Sequence, residues 1–364
     1  MPLSKIPSAG FQDNVKFRNI CHNGDMSISQ RTTSTSGVST TGQFVLDRWK
    51  LNVDSMGAWT ISQSTDVPTG QGFASSMKWD CTTADASPAA DDNIQLQQRF
   101  EGQNLQYLKK GTSSAESTTL SFWVKSNKTG TYICELRDKD NSNRHINKSY
   151  TISSADTWEK KTITFAGDTT GTLTNDNSTS IDLNFWLGAG TTWSSGTLQT
   201  SWGSSTSANR AVGQVNLADS TSNEWYITGV QLEAGTTASD FEFLPHDVNL
   251  QRCHRYCYKT PTGSLFDSNG EYCNAHHYAA NLILGFCSVN PVEMRATMSV
   301  SFSGNFESYG ASAVYALTAI SANEHTSRGF QINGTPSTNR TAGQAVTIRN
   351  QSNTTAFMLL TAEL

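Results

Sequence analysis

Strict alternation of apolar and polar positions marks several short segments as half-buried strands. Leu120, Phe122 and Val124 alternate with Ser121, Trp123 and Lys125. Ile163 and Phe165 alternate with Thr162 and Thr164. Ile181, Leu183, Phe185 and Leu187 alternate with Asp182, Asn184 and Trp186. A period of two over such lengths puts one face on a core and the other toward solvent. Turn clusters separate these runs, among them Ser126 to Gly130, Asp138 to Asn143 and Gly167 to Thr172. Many short strands at this spacing predict a sandwich or jelly roll. The stretch nearest to a helix, Asp91 to Tyr107, is weakened by Gly102 and its Gln-rich face.

Beyond Pro245 the pattern restarts. Asn249 to Tyr258 reads as a short helix or as the first strand of a new domain. Met298, Val300 and Phe302, then Val346 and Ile348, again alternate with polar residues, and Ala356 to Leu360 is an apolar strand. Before Phe44 the chain is different. Residues 1–42 carry Pro2, Pro7 and a polar run from Gln30 to Gly42, too little apolar surface to fold alone, so this part is expected to become ordered against a neighbour. Phe17 to Met26 is an apolar exception with a tight turn at Asn23-Gly24-Asp25, predicted to need positive φ at Gly24. The expected architecture is therefore all-β: an N-terminal anchoring or partner-binding segment (1–42), a jelly-roll domain (43–247) and a smaller C-terminal β-sandwich (248–364). No exact period repeats, which disfavours a solenoid or propeller.

Composition agrees. Charged residues are 16% of 364, hydrophobic residues 36% and aromatic residues 10%. The aromatic content suffices for a packed core, while Ser, Thr, Asn and Gly stand where a helical protein has Lys and Glu. Net charge is −5 with no basic stripe, so a nucleic-acid partner is not expected. There is no apolar run of membrane-spanning length and no secretory leader at Met1, which predicts synthesis in a cytoplasm and no membrane insertion. Seven scattered cysteines point to free, mostly buried thiols.

Catalytic motifs are lacking: no Gly-x-Ser-x-Gly elbow, no His-Glu-x-x-His, no phosphate loop and no dinucleotide fingerprint. No catalytic residue is expected. Asp138, Asp140 and Ser142 have the first three spacings of a calcium loop, but Asn143 and Ser149 replace the required Gly and Glu, so a hairpin turn is the better reading. Cys253 and Cys257 have the spacing of a zinc knuckle, and Cys273, His276 and His277 follow. The simpler account is that the cysteines pack as small apolar groups and the histidines are exposed or face a symmetry axis. The sharpest functional candidates are four tryptophans outside the core phase: Trp123 and Trp186 on the polar side of their strands, and Trp193 and Trp202 in the long polar segment 188–210. Exposed rings of this kind serve as platforms for sugars, or become buried against a neighbouring subunit or second face.

Three stretches resemble phage tail-fibre-like proteins of the marine type. They are Phe17 to Arg31 (FRNICHNGDMSISQR) with Leu46 to Trp49 (LDRW), Gly229 to Lys259 (GVQLEAGTTASDFEFLPHDVNLQRCHRYCYK), and the terminal Thr361 to Leu364 after an apolar strand. The resemblance implies a structural virion protein, homotrimeric, whose first large domain is similar to carbohydrate-binding-module jelly rolls and whose last domain is a fibre-tip sandwich. It implies no cofactor, though such modules allow a structural calcium that these residues do not assign. It also implies a host-surface glycan as ligand and, through the N-terminal segment, a tail adaptor, nozzle or capsid protein as partner. Two departures are Cys257, where aromatics are common, and a short N-terminal segment, which leaves tail and capsid attachment both open. The other readings are a capsid decoration or head-fibre protein and a glycan depolymerase.

Overall fold

The computed structural model describes residues 17–261, 271–288, 291–310, 313–351 and 355–364. The fold is nearly all β, with 45% of residues in strands and 8% in helices. Two units are formed. The first takes 17–27, 34–43 and 49–244 of the described chain, the second 28–33, 44–48 and most of 245–364.

The first unit is a sandwich of two antiparallel sheets. One sheet has the order β1 (Ser34–Val38), β4 (Ala58–Ser64), β5 (Ser76–Thr83), β12 (Glu224–Ala234), β7 (Thr118–Ser126), β10 (Glu159–Phe165). The other has the order β2 (Gln43–Phe44), β3 (Lys50–Asp54), β6 (Asn93–Glu101), β11 (Thr179–Ala189), β8 (Gly130–Asp138), β9 (Arg144–Ile152). The predicted alternations of 120–124, 163–165 and 181–187 fall in β7, β10 and β11, and their apolar members face the core. There Trp49, Trp59, Trp79, Trp225, Phe122 and Phe185 are shut off from water. Trp59 meets Trp79 edge-on at 5.8 Å, and Phe122 meets Phe185 at 5.1 Å. Each such ring contributes about 1.5–3 kcal/mol by burial, with a further increment for edge-to-face geometry. The stretch 91–107 is strand β6 followed by two short 3₁₀ turns, because Gly102 fits a site where a Cβ would stand 2.0 Å from the Thr174 carbonyl oxygen.

From residue 17 the expected anchoring segment 1–42 is built into the two units; residues 1–16 lie outside the described ones. Ile20, Cys21 and Met26 are buried, and the strap runs along β12. The Ile20 amide donates to the Leu232 carbonyl at 2.8 Å, and the Val230 amide to the Gly24 carbonyl at 2.9 Å. At the turn itself the expected positive φ falls on Asn23 (53°) and Met26 (59°) rather than on Gly24. Gly24 is needed for another reason: a Cβ there would stand 2.1 Å from the Val230 carbonyl oxygen.

In the second unit, helix α2 (His246–His254) leads into β13 (Cys257–Lys259), so the ambiguous stretch is helix first and strand after; α1 (Thr191–Ser194) is a single turn in the first unit. A three-stranded sheet, in the order β13, β21 (Phe357–Thr361), β16 (Ser299–Ser303), stands beside a closed barrel. The barrel order is β14 (Glu271–Ala279), β15 (Leu282–Cys287), β19 (Phe330–Pro336), β18 (Ala313–Asn323), β17 (Phe306–Gly310), β20 (Ala345–Asn350). Closure leaves those six strands without a free edge. Ile283, Phe306, Ile332 and Ile348 of the barrel and Met358 and Leu360 of β21 share one core. Arg31, Asp47, Arg48, Tyr256 and Glu363, drawn from all three family-like stretches, meet here. Glu363 accepts from Arg31 at 3.0 Å and from Arg48 at 2.5 Å, and the Arg48 guanidinium lies 3.4 Å from the centre of the Tyr256 ring.

Candidate functional site

The second sheet of the sandwich turns its non-core face to polar side chains. Partners directly opposite in an antiparallel ladder share a face, so rows of side chains cross the strands. One row is Lys50, Gln97, Asn184, Glu135 and Asn147; the next is Arg99, Asp182, Arg137 and His145. They bond to one another. Gln97 donates to Asn184 Oδ1 at 2.7 Å, Asn184 to Glu135 Oε2 at 2.8 Å, and Arg137 to Asp182 Oδ2 at 2.7 Å.

The polar segment 190–215 covers part of this face. It pairs with the outer side of β9, where the Asn147 amide donates to the Gln199 carbonyl at 2.8 Å, and then sends Arg210 onto Glu135. Burial alone would raise the Glu135 carboxyl. The Arg210 charge and its hydrogen bonds outweigh that and hold it at about 2. His145 accepts from the Thr206 amide through Nε2, which requires an unprotonated nitrogen, and its burial lowers its pKa in the same sense. Donors and acceptors are thus largely spent within the chain, and the main work of this network is to fasten a long segment to a sheet.

The four tryptophans are dispersed. Trp186 does face away from the sandwich core, but it is fully buried, with Trp193 6.0 Å away and the Arg210 guanidinium 4.9 Å from its ring centre. Its outward phase is covered by segment 190–215, which alternation could not reveal. Trp193 is half-buried and donates Nε1–H to the Asp91 carbonyl at 3.0 Å. Trp202 donates to the Ala166 carbonyl at 2.7 Å and lies 5.4 Å from Lys110 Nζ. Trp123 is half-buried on β7, in the other sheet. Only Trp186 and Trp193 are brought together.

Asp138 opens the β8–β9 hairpin. Its Oδ1 accepts from the Asp140 amide at 2.9 Å, and its Oδ2 accepts from the Lys110 ammonium. That ammonium also sits 3.1 Å from Asp168 Oδ2, 3.1 Å from the Thr170 carbonyl and 2.9 Å from the Gly171 carbonyl. Lys110 thus neutralises Asp138, while the Asp140 carboxylate turns away to accept from the Thr174 amide at 2.9 Å, so the segment is the hairpin turn expected in place of a cation loop.

The five soft ligands do not gather either. Cys253 and Cys257 are buried at the α2–β13 junction, whereas Cys273, His276 and His277 lie on β14, with His276 exposed and His277 buried. Among the described residues no group of three or more His, Cys, Asp or Glu side chains is placed to hold a metal ion.

An open cleft of about 780 Å³ lies instead where the strap meets the end of β12. Phe17 and Tyr107 line it with 57% and 49% of their surfaces exposed. Arg18, Glu116, Glu233 and the turn 234–239 supply polar groups. Among the described residues Arg18 Nε is buried without a hydrogen-bond partner. Glu233 accepts from the Ser239 amide at 2.9 Å and the Ser239 hydroxyl at 2.7 Å, and Glu116 accepts from Lys109 at 2.7 Å. Two exposed rings with hydroxyl, carboxylate and guanidinium groups around them match the needs of a sugar, whose C–H faces stack on rings and whose hydroxyls need both donors and acceptors. Phe17 belongs to a stretch noted in the sequence. Tyr107 was missed, because it sits on a 3₁₀ turn whose exposure leaves no periodic trace. Among the described residues no helix is long and apolar enough to cross a membrane.

No protein-family model and no curated protein matches this chain. Among solved structures, the enzymatically active domain of tailspike protein 4 of bacteriophage CBA120 is similar over 60% of this chain and 21% of its own, with 13% identity and a TM-score of 0.32. TmCBM61 in complex with β-1,4-galactotriose is similar over 60% of this chain and 99% of its own, with 11% identity and a TM-score of 0.30. The family 11 carbohydrate-binding module from Clostridium thermocellum, in complex with a β-1,3-1,4-mixed-linked tetrasaccharide, is similar over 57% and 99%, with 12% identity and a TM-score of 0.28.

Proposed function

We propose that this chain is a non-catalytic subunit of a phage appendage that binds host-surface glycan through its first unit. The observation that carries the glycan reading is the open cleft with exposed Phe17 and Tyr107. Its volume of about 780 Å³ is ample for a short saccharide. The two carboxylates in the cleft, Glu116 and Glu233, are engaged by Lys109 and by Ser239, which favours holding a ligand over cleaving one. The virion assignment rests on the three family-like stretches. On this reading the protein is a homotrimer on the particle surface, attached to a tail or capsid protein, and weak single-site affinity is raised by repetition over subunits and fibres.

The test is adsorption of particles carrying Phe17→Ala with Tyr107→Ala, compared with wild type, beside binding of the purified proteins to host polysaccharide. Both should fall at least ~10-fold while the thermal transition stays in place, in keeping with about 1.5 kcal/mol or more from two stacking rings. Unchanged adsorption with an intact fold would sink the cleft reading. If particles purified on a gradient lacked the chain, the virion reading would fail. Release of new reducing ends from the polysaccharide would assign hydrolysis instead.

A further inference from the structure

Two of the seven cysteines face each other across the barrel wall. Strands β14 and β15 pair antiparallel with Ala275 opposite Gly285, His276 opposite Leu284 and His277 opposite Ile283. Carrying that register on by two residues sets Cys273 opposite Cys287. Directly opposed residues of an antiparallel ladder have Cα atoms about 4.5–5.5 Å apart, inside the range of about 4.4–6.8 Å that a disulfide spans. The Cys273 sulfur already leans onto β15: a Cβ added at Gly285 would stand 3.1 Å from it. The neighbouring Cys273 thiol, together with burial, pushes the Cys287 thiol up. Cys287 is buried in the barrel core, while Cys273 packs against that core and keeps part of its surface in solvent.

We infer that Cys273 and Cys287 are a redox pair that closes into a disulfide once the protein leaves a reducing cell. The co-reactant is a small-molecule disulfide such as oxidised glutathione. Cys273, the more accessible sulfur, loses its proton and attacks one sulfur of that disulfide, releasing one small thiolate. Cys287 then loses its proton and attacks the Cys273 sulfur of the mixed disulfide, releasing the second. Two protein thiols and one small disulfide become one protein disulfide and two small thiols, with no net change in electrons. The bond ties β14 to β15 at the end of the hairpin far from the 280–281 turn, so it stiffens the barrel and adds no new contact. On the paired strands Cys81 stands opposite Trp59, Cys134 opposite Phe185 and Lys148, and Cys257 opposite Thr361, so none of these registers sets a second cysteine pair face to face.

The experiment uses the full chain. It is exposed to oxidised glutathione, free thiols are alkylated, and the intact mass and linked peptides are read. The expected product has lost two hydrogen atoms, has Cys273 and Cys287 in one cross-linked peptide pair, and unfolds at a higher temperature than the reduced form. Cys287→Ser should stop the reaction at a glutathione adduct on Cys273. Alkylation of both residues after oxidation, or a cross-link that uses another cysteine, would overturn the proposal. The wild-type measurement stands by itself should a variant fold poorly.

Discussion

Arg210 lays its guanidinium fork on Glu135, with Nε 2.6 Å from Oε1 and Nη2 2.7 Å from Oε2, and both side chains are almost wholly removed from water. The pair joins segment 190–215 to the middle of a sheet. It also holds Trp186 and Trp193 in place, since the same guanidinium lies within 4.9 and 5.2 Å of their ring centres. A bidentate pair of this kind fixes orientation as well as distance.

Removing one partner should therefore be costly. Arg210→Ala leaves Glu135 buried and uncompensated, and should lower the stability of the first unit by ~3–5 kcal/mol. Arg210→Lys restores charge without the fork and should recover less than half of that. Urea unfolding followed by tryptophan fluorescence would check both. A loss below ~1 kcal/mol would place the pair with ordinary surface ion pairs.

The same pair gives an acid dependence. Burial works against the Glu135 carboxylate, yet Arg210 depresses its folded pKa to about 2 from an ordinary 4.5. Its contribution is then fully present above pH 4.5 and is lost as pH falls toward 2. His145, buried and lowered from 6.5, adds a loss of the same sign as pH falls below 6.5. Stability of the first unit should thus decline on acidification in two stages. His145→Gln should remove the upper stage and leave the lower one. A wild-type profile flat from pH 7 to 3 would contradict the assignment.

Lys110 offers a third test. Its ammonium is shared by Asp138 and Asp168, all three buried, and two carbonyl groups complete the shell. Lys110→Met keeps the stem but leaves two carboxylates facing each other, and should cost ~3–5 kcal/mol by chemical denaturation. Adding Asp138→Asn to it should recover part of the loss, because one of the facing charges is gone. If the double variant were less stable than the single one, repulsion between the carboxylates would not be the cause.

Alternation revealed which positions of β7 and β11 face the core, and it did so because one face of each strand packs on Leu120, Phe122, Leu183 and Phe185. What covers the opposite face lay beyond it. Asp182, Asn184 and Trp186 read as solvent-facing, yet all three are buried, by neighbouring polar side chains and by a segment that arrives from elsewhere in the chain. The cleft was half legible for the same reason. Phe17 stood in a recognisable stretch, but nothing local joins it to Tyr107, ninety residues on. The hairpin turn at Asp138 was legible, while the lysine that neutralises the Asp138 carboxylate comes from position 110. Long-range partners of this kind are set by topology and leave no trace in a window of ten residues.

The last prediction concerns the strap that borders the cleft. Gly24 has an ordinary φ, so its conformation alone would accept alanine. The obstacle is the Val230 carbonyl oxygen, 2.1 Å from where a Cβ would stand, in a β12 backbone that the Gly24 carbonyl and Asn19 also hold by hydrogen bonds. Neither side can yield without breaking those bonds, so Gly24→Ala should cost at least ~3 kcal/mol. Gly213 is the opposite case. Its φ is +85°, but nothing lies within 4 Å of its Cβ position, so Gly213→Ala meets only the left-handed penalty of ~1 kcal/mol. If backbone conformation rather than close approach decided the matter, the order would reverse. Limited proteolysis gives a second reading: cleavage between residues 17 and 27 should speed up in Gly24→Ala, as the strap lifts from β12, and stay at the wild-type rate in Gly213→Ala.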